Sequence, residues 1–110
     1  MPLPTAARDL LTTQEVAAAI GRTDLTPLRS ARRGTCGWMV GRPADPTVIG
    51  LVVRVADPQD RSADREALVA VDRPDRVVEV IASAPGPSPA DQDLADAMGA
   101  GVSRALGAKF

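Results

Sequence analysis

The chain contains no histidine, no tyrosine and no asparagine, and only one cysteine, one tryptophan and one phenylalanine among 110 residues. Without histidine, no Ser–His or Cys–His nucleophile pair can form within it, and no imidazole can ligate a metal. A lone cysteine cannot close an internal disulfide. Lysine occurs once against 12 arginines, and glutamate 3 times against 11 aspartates. Residues with AT-rich codons are nearly missing, as in a GC-rich genome of the actinobacterial kind. The missing imidazoles and phenols therefore reflect coding bias, although they are excluded from chemistry all the same. Long apolar runs are also absent. The longest, Val48 to Val53, falls far short of the ~20 residues a spanning helix needs. Met1-Pro2-Leu3-Pro4 offers neither a basic n-region nor a long apolar h-region, so no signal peptide is expected. As it stands the chain reads as cytoplasmic, and as extracytoplasmic if a leader has been removed. A net charge of −1 argues against a general polyanion binder.

What is present points to one globular domain over residues 1–110. Apolar residues make up 45% and charged residues 25%, which is enough apolar material for a core and too little charge for disorder. Thr12-Thr13-Gln14-Glu15 fits a capping box, with Leu11 and Val16 at the staple positions. It predicts a short helix over Thr13 to Ile20 that stops at Gly21. Residues 22–34 have no clean period, carry Pro27, and read as a loop with at most one broken helical turn. Cys36, Trp38 and Val40 alternate along a strand over 35–40. Residues 41–46 read as a turn. Thr47 to Ala56 is the strongest strand, with Ile49, Leu51, Val53 and Val55 on one face. The two strands form a natural hairpin.

Ser62 is placed to cap a short helix running to Val69. Arg76 to Ala82 reads as a third strand, apolar on both faces and hence central. After a proline-rich connection, Ser88 and Pro89 open a helix over 89–106. Leu94, Ala97, Met98, Gly101, Val102, Ala105 and Leu106 form its apolar stripe. Close approach of this helix to a sheet gives a reason for Gly101, and Gly107 ends the helix. The element order is α-β-β-(α)-β-α. It predicts an α+β fold, a short antiparallel sheet of three or more strands with the N- and C-terminal helices packed on one face.

Few residues suggest function. Trp38 reads either as core or as the wall of an apolar ligand groove between sheet and helix. Arg22, Arg29, Arg32, Arg33 and Arg42, with Asp24 the sole acid, give residues 22–42 a local charge of +4. Residues 57–79 carry a local −3. Such a bipolar surface either pairs internally or docks an acidic partner or a second copy of the chain. Trp38, Arg29, Arg32 and Arg33 are therefore the candidate ligand- or partner-binding residues. Cys36 reads as a buried structural thiol, since nothing nearby offers a base. Asp57, Asp60, Asp64 and Glu66 do not match calcium-loop spacing, and no glycine-rich phosphate loop is present. No catalytic residue, metal or cofactor is assigned.

Two resemblances follow from these residues. Leu11 to Gly21 resembles the first helix of the helix-turn-helix in MerR-type and excisionase-type regulators. That likeness implies a recognition helix carrying Arg29, Arg32 and Arg33 to phosphates or guanine edges. Pro27 falls where that second helix would run. Leu10-Leu11-Thr12, Glu15-Val16, Gly21 and Cys36-Gly37-Trp38 more closely resemble a pattern in actinobacterial envelope lipoproteins of unknown function and kinase sensor-like domains. In that resemblance Arg76 to Leu106 matches the last strand and helix. The family often pairs a second cysteine with that of Cys-x-Trp, and this chain has none; it also lacks the lipobox. The resemblance implies a binding or sensing role without known chemistry. These residues are compatible with three functions: a non-enzymatic binding or interaction module, a DNA-binding regulator, and a small biosynthetic accessory protein or enzyme using Asp24 or Glu79.

Overall fold

The structure is a computed structural model that describes residues 6–28, 34–41, 48–60, 67–84 and 88–110. A 3-10 turn, Ala7–Asp9, leads into helix α1, Thr13–Ile20. Strands β1 (Leu25–Leu28), β2 (Thr35–Val40) and β3 (Ile49–Ala56) follow. Next come β4 (Leu68–Asp72), β5 (Val77–Ser83) and the long helix α2, Pro89–Lys109. The five strands form one fully antiparallel sheet in the order β1-β2-β3-β5-β4. The fold is α+β, as the residue pattern predicts. At 21 residues α2 is the longest helix, yet no helix among the described residues is long and apolar enough to cross a membrane.

Alternation sets which face is wet. In the β2–β3 hairpin Cys36, Trp38 and Val40 lie opposite Val53, Leu51 and Ile49. In β3–β5, Leu51, Val53 and Val55 lie opposite Ala82, Val80 and Val78. These side chains share one face with Val16 of α1 and Met98, Val102 and Leu106 of α2, forming one core cluster among the described residues. Burying each such Leu, Ile or Val side chain contributes about 1.5–3 kcal/mol. The other sheet face carries Met39, Val52, Arg54, Ile81 and Glu79. Glu79 is almost wholly buried, directly across from Arg54, whose guanidinium donates to it at 3.2 Å.

Helix α1 begins where the capping box places it. The Thr12 hydroxyl accepts from the Glu15 amide at 3.1 Å, and Glu15 Oε1 accepts from the Thr12 amide at 3.0 Å. That amide contact, then the Lys109 ammonium 3.0 Å away, hold the Glu15 carboxyl below its usual range. Gly21 closes the helix in the left-handed conformation, φ 71°.

Several expectations change. Residues 25–28, read as loop, are β1. A sheet tolerates proline only at its edge or at bulges, and β1 is an edge strand, so Pro27 is accommodated. Residues 61–66, where most of the expected Ser62–Val69 helix falls, lie outside the described residues, and its end, Leu68–Val69, belongs to β4. Cross-strand pairing with β5 draws Leu68 and Val69 into the sheet. Of the expected turn at 41–46, Gly41 is a bend and the rest lies outside the described residues. Helix α2 continues through Gly107 to Lys109, because its last turn packs near the Ala70 carbonyl of β4. Ser88 occupies the N-cap but makes no side-chain capping bond.

The buried stripe of α2 is also rotated. Ala95, Met98, Gly99, Gly101, Val102 and Leu106 face inward, while Leu94 and Ala97 are exposed. Gly101 meets a helix rather than the sheet: a Cβ there would lie 2.9 Å from the Ala19 carbonyl oxygen of α1. The glycine that approaches the sheet is Gly99, where a Cβ would lie 3.3 Å from Ala82 Cβ.

Candidate functional site

A cleft of about 220 Å³ opens between the start of α1 and the β1–β2 hairpin. Leu11, Pro27, Leu28, Cys36 and Trp38 give it mostly apolar walls, Thr12 and Thr13 add hydroxyls, and Arg8 adds a charge. Each wall has a local cause. Trp38 stands on the core face of β2 because Val40 and Cys36, two residues to either side, point the same way. Its indole is 4% exposed, and Nε1 donates to Thr13 Oγ1 at 3.1 Å. That bond satisfies the one polar atom of an otherwise apolar side chain. Thr13 is the first residue of α1 and is held there by the capping box beside it. The antiparallel register sets Pro27 opposite Trp38 and Leu28 opposite Gly37, and Leu28 remains 43% exposed.

Cys36 lies on the same wall, partly buried and without a disulfide partner. Burial pushes its thiol up to about 11 from an ordinary value of 9.0, so at neutral pH it is protonated and a poor nucleophile. The linkage has a definite sign. The fold favours the neutral thiol, so this contribution is present below pH 9 and is lost as pH rises through about 11. Denaturant titrations of the wild type and Cys36→Ala across this window provide the check. The wild-type advantage is expected to shrink steadily above pH 9. A constant gap would show that the thiol is as well solvated folded as unfolded.

A second, larger depression of about 310 Å³ lies at the far end of β3, lined by Arg54, Val55, Ala56, Asp57, Asp60 and Arg76. It is polar and open, so a ligand there would leave water for charged groups that are already well solvated. The smaller cleft is the better candidate, because its apolar walls reward desolvation. The carboxylates considered for catalysis are engaged: Asp24 pairs with Arg22 and Glu79 with Arg54. Among the described residues no buried side-chain nitrogen or oxygen lacks a partner. Nor do they include a group of three or more Cys, Asp or Glu placed to hold a metal ion.

Trp38 thus lines the cleft, while Arg29, Arg32 and Arg33 lie outside the described residues. Arg8, Leu11, Thr13, Pro27 and Leu28 were not anticipated as site residues. Leu11 and Thr13 are visible in the sequence only as parts of a capping motif, and Pro27 only as a break. No sequence signal marks Arg8. The helix-turn-helix resemblance retains its first helix, α1, but Leu25–Leu28 form an edge strand where a second helix would run. Set against family models, curated proteins and solved structures, the chain matches none.

Proposed function

We propose that this protein is a non-enzymatic binding module that seats a small apolar ligand in the cleft beside Trp38. The supporting observation is the cleft itself: apolar walls around an aromatic side chain that is fixed by a hydrogen bond to α1. Its volume is below the ~300–1,000 Å³ usual for drug-sized ligands, so the ligand is fragment-sized. The likeness of Leu10-Leu11-Thr12 and Cys36-Gly37-Trp38 to envelope lipoproteins and sensor-like domains points the same way, towards binding rather than turnover.

Trp38 is the only tryptophan, so its emission reports on this site alone. Titration with a set of small aliphatic and aromatic compounds is expected to give a saturable change for at least some of them. Leu28→Arg, which puts a charge on the exposed wall, is expected to abolish it. If no compound gives a saturable response, the small-ligand reading fails and a protein partner takes its place.

A further inference from the structure

We infer that the cleft beside Trp38 is selective for an apolar carboxylate, with Arg8 holding the acid group; this rests on the binding role proposed above. Arg8 sits in the 3-10 turn Ala7–Asp9, whose Ala7 is fully buried in the core cluster. The turn is therefore anchored, and the neighbouring leucines Leu10 and Leu11 are buried as well. On this fixed base the exposed Arg8 side chain contributes to the cleft lining. Among the described residues its guanidinium makes no hydrogen bond or ion pair, in contrast to Arg22, Arg54 and Arg73.

An unpaired guanidinium at the rim of an apolar cavity divides the site into two parts. The walls accept a hydrocarbon or aryl body, and the rim offers a planar fork that fits a carboxylate in two parallel hydrogen bonds. Among the described residues that line the cleft there is no carboxylate, so none of them competes for Arg8. The Glu15 carboxyl, the nearest acid of the α1 N-terminus in sequence, is already held by the Thr12 amide and Lys109. A neutral apolar compound would use only the walls. A compact polyanion would use only the rim and gain nothing from Trp38. A small monocarboxylate with an apolar tail satisfies both parts at once.

Octanoate and octanamide differ only at the end that would face Arg8, and neither absorbs where tryptophan does. At neutral pH and low salt, octanoate is expected to perturb Trp38 emission at about tenfold lower concentration than octanamide. That ratio is the low end for a charge-assisted contact in a half-exposed site. Added salt is expected to narrow the ratio. In Arg8→Gln, checked for folding by circular dichroism, octanoate is expected to fall to the level of octanamide, with octanamide unchanged. Equal binding of acid and amide to the wild type, or an acid preference that survives Arg8→Gln, overturns the role of Arg8 and leaves the apolar cleft standing. Failure of both compounds to bind overturns this inference, and, if the wider compound set also fails, the binding role beneath it.

Discussion

Replacing Trp38 with alanine is expected to destabilise the protein by about 3–5 kcal/mol, the range for emptying a buried aromatic position. The indole is 4% exposed and joins the core cluster from the middle of β2, opposite Leu51 of β3. It also ties the sheet to α1 through Thr13, so its removal loosens a helix of only eight residues that is not stable alone. Trp38→Phe keeps most of the apolar contact and loses the Thr13 bond, and should cost less, on the order of 1–2 kcal/mol. Urea denaturation followed by circular dichroism measures both, since the variants have no tryptophan emission. A Trp38→Ala protein within about 1 kcal/mol of wild type would mean that the side chain is a surface feature, far below the cost a core aromatic carries.

The second large effect is expected at Gly101. A Cβ here would stand 2.9 Å from the backbone oxygen of Ala19, and a carbonyl cannot swing aside as a side-chain end can. The two helices must separate. For Gly101→Ala the overpacking penalty of about 1–3 kcal/mol opposes a helix-propensity gain of about 1 kcal/mol. Gly101→Val adds two methyl groups and a β-branch with no propensity gain to match alanine's, and is expected to lose about 3 kcal/mol or more. Gly107→Ala is the control. It is an exposed position of the same helix where a Cβ would meet only the Ala70 carbonyl, at an ordinary 3.5 Å, so it is expected to be neutral or stabilising. Thermal melts of the three variants test the ordering. If Gly101→Val melts like Gly107→Ala, the close helix contact does not exist in solution.

The sequence was most informative where local chemistry and burial agree. Thr12 and Glu15 cap α1 by contacts within four residues, and Gly21 ends it by its own backbone freedom. Ile49, Leu51, Val53 and Val55 announce a half-buried strand by alternation alone. It was least informative where a distant partner decides. Nothing within Leu25–Leu28 marks it as strand; β2 makes it one. Leu68–Asp72 is extended because β5 lies beside it. The inward face of α2 is set by where α1 and β4 lie, which is why Leu94, apolar and in phase, is nevertheless 41% exposed. The site follows the same division. Trp38 was legible as a lone aromatic on a patterned strand. Arg8 and Leu28 reach the cleft only through the docking of the 3-10 turn and the register of an edge strand.

The order of the strands has a consequence for synthesis. Because β5 enters the sheet between β3 and β4, a nascent chain that has emerged only as far as Asp72 holds two edges with no strand to join them. Neither α2, which roofs the apolar face, nor the Ala19–Gly101 contact that seats α1 on it exists until the last third of the chain is free. The local pairs β1–β2 and β2–β3 can form as they emerge, but their apolar face stays uncovered until β5 and α2 arrive to close the interior.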